Sequence, residues 1–305
     1  MKKPVTNLAL FILMTVLAVF CPTSCTKKNS STAGKDDFTF VFMTDIHLEY
    51  GRNAVEGFRQ AIGRINELDP DFVITGGDLI ADALAQTYSR ADSLYNLYEE
   101  VSGEINAPVH NTMGNHEIYG IYERANADPD HPEYGEKMYE NRLGPSYYAF
   151  DHKGWKFMII NSIEDTKKGR YIGQVDDVQM EWIRSELEKT DPATPIVIST
   201  HIPFIMVFAQ KHRGSTVAND SSMVVYNSKE VLDLFADHNL KLVLQGHQHD
   251  LECIMINGIH FINGGAISAS WWNGPYYGTE EGFVLVKTRG DDFDWEYIDY
   301  GWEVE

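Results

Sequence analysis

A layered α/β domain around a partly parallel sheet is what three features of this 305-residue chain predict. Short apolar runs rich in β-branched and aromatic residues recur along it: FTFVFMT (38–44), DFVIT (71–75), APVHNTM (107–113), PIVIST (195–200) and LKLVLQ (240–245). Such runs read as buried strands. Segments with helical spacing separate the first three, and that β-α-β-α-β order brings successive strands parallel. A polar motif follows each run at once: Asp45-Ile46-His47, Gly76-Gly77-Asp78, Gly114-Asn115-His116-Glu117, His201 in Thr200-His201-Ile202-Pro203, and Gly246-His247-Gln248-His249.

The elements follow in order. After the strand at 38–44 a helix spans 52–68, with Ala54, Phe58, Ile62 and Ile65 on one face. Asp69-Pro70 ends it. A strand at 72–75 leads to a helix over 84–101, and a strand at 109–113 delivers the third motif. Residues 118–146 form a polar excursion rich in Tyr, Asp and Pro. Runs 147–151 and 155–161 make a hairpin about Lys153-Gly154. A helix over 176–189 places Val178, Trp182, Ile183 and Leu187 at helical spacing. The strand at 196–200 delivers His201, and 202–227 is a second excursion. Val231, Leu234 and Phe235 mark one more helix. Strands at 242–245, 251–256, 259–262, 283–287 and 293–298 close the chain. Cys253, in the apolar run LECIMI, reads as a buried strand residue.

The motifs place Asp, Asn and His at the carboxyl ends of strands, where open α/β sheets gather their ligand sites. Two Asp, one Asn and five His make up a metal-ligand inventory. Asp45 and His47 stand at alternate positions, as do His247 and His249. In an extended segment, alternate side chains point the same way.

With 43% hydrophobic residues the chain can bury one large core, and motifs spread from 45 to 249 favour a single catalytic domain. The N-terminus is separate. Lys2 and Lys3 precede an apolar stretch at 8–20, the order of a secretory signal and too short for a transmembrane helix of about 20 residues. Thr23-Ser24-Cys25 resembles the end of a bacterial lipoprotein signal, which implies acylation at Cys25. Pro22 departs from that pattern, and ordinary secretion or an uncleaved anchor are the alternatives. The expected organisation is a signal at 1–25, a polar tether at 26–37 and one domain at 38–305. The expected location is the bacterial cell envelope, with a soluble periplasmic or secreted form as alternative. Five lysines and no acidic residue precede Asp36, which leaves 20 basic against 45 acidic residues, or −25, in the rest. A body so acidic repels long polyanions, so nucleic acid is not an expected partner.

All five motifs in this order resemble the signature of the calcineurin-like metallophosphoesterases, over residues 38 to 249. The resemblance implies a four-layer α/β/β/α sandwich that hydrolyses phosphate esters with two metal ions. One ion would take Asp45, His47, Asp78 and His249; the other would take Asp78, Asn115, His201 and His247. The ligand types suit Mn, Fe, Zn or Co. Asp78 would bridge. Two dications, two carboxylates and a bridging hydroxide leave about +1 at the site, enough to draw a small phosphate ester. His116 would contact the phosphate or protonate the leaving group. Glu117, where the family more often has Asp, would orient His116 through a hydrogen bond.

Two departures bear on subtype. Ala81 stands where purple acid phosphatases carry a Tyr ligand. Ile202 stands where cyclic-nucleotide phosphodiesterases often have a second His, which weakens placement in that branch. A phosphodiester is the first substrate expected. A phosphomonoesterase or nucleotidase, and a non-catalytic metal-binding scaffold, are the alternatives. The aromatic loop 271–278 could stack a ring through Trp271 and Trp272, or simply pack. Among His110, His131, His152, His212, His238 and His260, read as core or surface residues, His212 is the candidate for the pocket rim.

Overall fold

The alternation of side chains along β1 (Thr39–Met43) decides how the layers stack. Phe40 and Phe42 enter one buried cluster, and Val41 and Met43 enter another, as the two-residue period of a strand requires. The computed structural model that shows this describes residues 36–304. The leader, Cys25 and tether residues 26–35 lie outside the described residues.

After β1 come α1 (Ala54–Leu68), β2 (Phe72–Thr75), α2 (Tyr88–Ser102) and a short β3 (Val109–His110). The middle of the chain forms α3 (Lys137–Leu143), β4 (Tyr148–His152), β5 (Trp155–Ile160), β6 (Ile163–Asp165), β7 (Tyr171–Gly173) and α4 (Asp177–Glu188). Then follow β8 (Ile196–Thr200), α5 (Phe208–Arg213), α6 (Ser228–Asp233), β9 (Leu240–Gln245), β10 (Leu251–Ile256), β11 (Ile259–Gly264), β12 (Gly282–Arg289) and β13 (Asp292–Asp299). Among the described residues, no helix is long and apolar enough to cross a membrane.

Two sheets result. The first has the order β13-β12-β1-β2-β3, with β1, β2 and β3 parallel and β12 and β13 antiparallel. The second has the order β10-β11-β9-β8-β5-β4, a parallel centre edged by antiparallel β10 and β4. Phe40, Phe72, Phe157, Val197, Leu244 and Val284 come from both sheets and share one cluster between them. The outward faces carry the helices. Val41 and Val73 cluster with Phe58 and Ile62 of α1, and Met158 and Ile198 with Ile183 and Leu187 of α4. The architecture is the expected α/β/β/α sandwich.

Several boundaries differ from the pattern-based expectation. The second helix begins at Tyr88 rather than 84, because Thr87 caps it by accepting from Arg90 N, and Asp82 folds residues 82–84 into a turn by accepting from Leu84 N at 3.0 Å. Val178 is 69% exposed. Its neighbour Gln179 turns inward instead, where it bonds both Asn161 N and Asn161 O, so the buried stripe of α4 runs through Gln179, Met180, Ile183 and Leu187. The β6–β7 hairpin lies in a polar stretch that showed no strand pattern. Cys253 is exposed, not buried, because β10 is an edge strand with one face open.

The inter-sheet core depends on interlocked rings. Phe157 of β5 meets Phe40 at 5.4 Å and Phe72 at 5.1 Å, edge to face across the sheets. Phe157 is fully buried. Truncation to Ala removes these two ring contacts between the sheets, and Phe157→Ala should lower unfolding stability by about 3–5 kcal/mol, read from the shift in urea midpoint.

Candidate metal centre

Each motif begins within a few residues of a strand's carboxyl end. The first sheet delivers Asp45, His47, Asp78 and Asn115, and the second delivers His201, His247 and His249. Backbone bonds stitch the loops together. Asp45 N donates to Gly77 O at 3.0 Å, His47 N to Asp78 O at 2.9 Å, and Gly246 N to His201 O at 3.0 Å. The loops approach too closely for side chains at the glycines between them. A Cβ on Gly77, whose φ is 91°, would lie 2.6 Å from His201 Nδ1, and one on Gly114 would lie 2.1 Å from Asp78 N.

The expected extended geometry of the ligand pairs is not what the chain adopts. Asp45, His47, Asp78, His247 and His249 all have positive φ, between 46° and 74°. The strand has already ended, and the backbone must coil tightly to bring alternate side chains onto one point. Left-handed backbone at non-glycine residues costs free energy and persists where its surroundings over-determine it.

The predicted ligands converge. Asp45, His47 and His249 form one group and Asp78, His201 and His247 another, with donor atoms in each within 4.8 Å of one another. In the first, His47 Nε2 and His249 Nε2 are 2.9 Å apart and Asp45 Oδ1 is 3.3 Å from His249 Nε2. In the second, His201 Nε2 lies 3.2 Å from each of Asp78 Oδ2, Asn115 Oδ1 and His247 Nδ1. Asp78 Oδ2 also lies 3.7 Å from His47 Nε2. One oxygen therefore faces both groups, while Asp78 Oδ1 accepts from His116 N at 2.9 Å.

The outer ring nitrogens show which inner ones are free. His249 Nδ1 donates to Ala269 O at 2.5 Å and His201 Nδ1 to Gly76 O at 2.7 Å. Nε2 of each is therefore the nitrogen turned inward, an arrangement typical of metal-ligating histidines. His247 is reversed, with Nε2 on Ser222 O at 3.0 Å and Nδ1 inward. Lone pairs facing one another at about 3 Å repel unless a cation lies between them. The donor set thus fits two divalent ions.

Protons show the same demand. Burial opposes charge on His201, but the Asp78 and Asp45 carboxylates overcome it and raise its pKa to about 9. Burial and then the His201 charge depress His247 to about 4. Asp78 is held well below the usual carboxylate range: burial opposes this, and His201 and His116 outweigh it.

Glu117 does not orient His116. Its buried carboxylate accepts from the backbone N–H of Asp78, Leu79, Ile80 and Gly114, at 2.9, 2.8, 3.2 and 2.7 Å. Burial, with the Asp78 charge beside it, pushes its pKa up to about 8, and these amides oppose that rise. His116 is positioned elsewhere: its Nδ1 donates to Ala81 O at 2.5 Å and lies 3.8 Å from Asp82 Oδ1. Its Nε2 is 3.8 Å from Asp78 Oδ2, and its side chain is a quarter exposed, unlike the buried histidines at 47 and 201.

The two tryptophans separate. Trp271 is partly exposed and its ring lies 4.3 Å from that of His249 and 5.6 Å from that of His47. Trp272 is buried and donates its indole N–H to His47 O at 3.2 Å, so packing, not a stacking surface, is its place. His212 stands one step back, on Asp250 Oδ2 at 2.8 Å and stacked on Tyr277 at 4.0 Å. The other unassigned histidines pack elsewhere, as His110 does on Phe150 at 3.7 Å. Pattern reading missed the carbonyls of Gly76, Ala81, Ser222 and Ala269, since a carbonyl carries no sequence signal. It also missed Thr44, whose hydroxyl donates to Asp45 Oδ2 at 2.7 Å.

A family model described as calcineurin-like phosphoesterase matches residues 38–251. A Rhodococcus erythropolis protein described as a probable cyclic nucleotide phosphodiesterase is 24% identical over 182 residues, 59% of this chain and 52% of that protein. This chain thus spans about half the length of that relative. A dimetal phosphatase from Danio rerio has the same fold at a TM-score of 0.58 and 16% identity, covering 87% of this chain and 99% of that one. GAP50, described as the anchor in the inner membrane complex of Plasmodium, has a TM-score of 0.51 at 13% identity, covering 88% and 86%.

Replacing Glu117 with Gln sets an NH₂ donor against backbone donors. Glu117→Gln should lower Mn²⁺ affinity by about 10–100-fold in calorimetric titration, with His116 untouched.

Proposed function

The chain belongs to the calcineurin-like phosphoesterase family, and from that premise we propose that it hydrolyses a phosphodiester. Asp45, His47, Asp78 and His249 would hold one divalent ion, and Asp78, Asn115, His201 and His247 the other. One observation carries the proposal: a single carboxylate oxygen, Asp78 Oδ2, faces both ligand groups, at 3.7 Å and 3.2 Å. Two ions bound there supply charge for the phosphoryl oxygens and acidify a water at neutral pH.

The chain's own residues do the rest. His116, with Nδ1 fixed on Ala81 O, presents Nε2 beside Asp78 at the open side of the site. There it gives a proton to the departing ester oxygen. The carbonyls of Gly76 and Ala269 accept from Nδ1 of His201 and His249, so that Nε2 of each would be the nitrogen turned to an ion. Trp271 offers a partly exposed ring beside His249 for an apolar ester arm. The description of the Rhodococcus relative supports a diester, and Ile202 in place of a second histidine argues against a simple cyclic-nucleotide assignment. Export with acylation at Cys25 belongs to the same proposal, supported by the lysines and apolar run at 2–20.

His116→Ala should keep two metal equivalents and the native fold while turnover of bis-p-nitrophenyl phosphate falls about 10²–10⁴-fold. Asp78→Asn should lose both turnover and metal. Wild-type rates in both variants would overturn the proposal, and faster cleavage of p-nitrophenyl phosphate than of the diester would reassign the enzyme as a monoesterase. Radiolabelled palmitate should label the full chain in a bacterial host but not Cys25→Ala; equal labelling would refute acylation at Cys25.

A further inference from the structure

A groove of about 450 Å³ opens beside the second ligand group, lined by Tyr122, Arg170, Tyr171, Asp220, Ser221 and Ser222 among others. It adjoins the centre directly. Ser222 O meets His247 Nε2 at 3.0 Å, and the Tyr171 ring lies 6.3 Å from that of His247.

The walls are built, not incidental. The β6–β7 hairpin is tied to the second excursion by Gly173 N on Ser221 O at 2.6 Å and Tyr226 N on Gly173 O at 3.0 Å. Its turn is closed by Thr166, whose N–H and hydroxyl both donate to Arg170 O. The backbone of Arg170 is thereby held at the groove, and its side chain lies exposed along the lining. The other described arginines each meet a carboxylate, a carbonyl, an aromatic face or a sulfur. Among the described residues, the Arg170 guanidinium meets none, in a chain of net charge −20. The hydroxyls of Tyr122 and Tyr171 likewise have no partner among the described residues. Asp220, the groove's acidic residue, turns one oxygen to Ser222: its Oδ1 accepts from Ser222 N at 2.9 Å and Ser222 Oγ at 2.6 Å.

We infer that Arg170, with the hydroxyls of Tyr122 and Tyr171, forms a subsite for a second anionic group on the substrate, a carboxylate or a further phosphate, carried on the ester arm that lies beyond His247. The inference rests on the phosphodiesterase reading and narrows it to anion-bearing diesters. A guanidinium takes either anion through two parallel hydrogen bonds, and neighbouring phenols can donate to the same oxygens.

The test uses the Mn²⁺-loaded full chain and three p-nitrophenyl phosphodiesters that share a leaving group. Their second arms are ethyl, 2-carboxyethyl and 2-phosphonoethyl. The wild type should favour an anionic arm over ethyl by about tenfold or more in kcat/KM. Arg170→Ala should erase that preference and leave the ethyl ester within about twofold, and Arg170→Lys should restore part of it. The better of the two anionic arms identifies carboxylate or phosphate as the group read. Equal wild-type rates on all three, or an equal loss on all three in Arg170→Ala, would overturn the subsite. No metal-dependent turnover of any ester would instead overturn the phosphodiesterase reading. The subsite is then judged by calorimetry with 3-phosphonopropionate: at least tenfold weaker binding in Arg170→Ala supports it, and unchanged binding refutes it.

Discussion

Two loops from neighbouring parallel strands must meet at atomic distance, and no strand ladder reaches that far past the sheet edge. Glu117 supplies the missing bonds. Its carboxylate gathers amides from Asp78, Leu79, Ile80 and Gly114, so the loop carrying Asp78 and the loop carrying Asn115 share one acceptor. Carboxylate bonds to amides are stronger than neutral ones, and a buried carboxylate without them would be costly. The position of Asp78 between the ligand groups, and of Asn115 beside it, follows from this clamp. The carbonyl of Glu117 is held in turn by the buried Tyr95 hydroxyl of α2 at 2.7 Å, which carries the constraint into the helical layer.

The second sheet adds its histidines through a different device. Gly246 N bonds His201 O, and His247 N bonds both oxygens of Asp45. Asp45 thus faces a ligand group while accepting a backbone bond from the opposite sheet. The aromatic layer of Phe40, Phe72 and Phe157 fixes the spacing of the sheets, and the loop bonds at their edge inherit that spacing.

Much of the site was legible from local pattern. Asp45, Asp78, Asn115 and His201 lie just past apolar runs, and that juxtaposition survives translation into structure. Strand runs such as 72–75 were read to the residue, because burial on both faces leaves an uninterrupted apolar signal. What failed had non-local causes. Gln179 displaces Val178 because its amide matches the backbone of Asn161, a partner eighteen positions away. Cys253 is exposed because nothing covers β10, which composition cannot show. Trp272 was read together with Trp271, yet the side chains part because one finds the carbonyl of His47 and the other does not. Glu117 looked like a partner for its neighbour His116, and the amides that claim it instead carry no side-chain signal.

Five of the residues in the ligand groups have left-handed backbone, from His47 at 46° to His247 at 74°. Among residues with side chains, Asn, Asp and His adopt that conformation most readily. All three are also types that suit first-row divalent ions, and Asp and His are the ones that take the left-handed backbone in these groups. The alphabet permitted by the turn and the alphabet permitted by the chemistry therefore overlap, and the residue at each of these five positions is specified twice. Glycine would satisfy the turn but offer no donor, and a glutamate would offer a donor but strain the turn. The sharp endings of these strands are thus part of the code by which the centre is written, which explains why so few letters suffice to spell it.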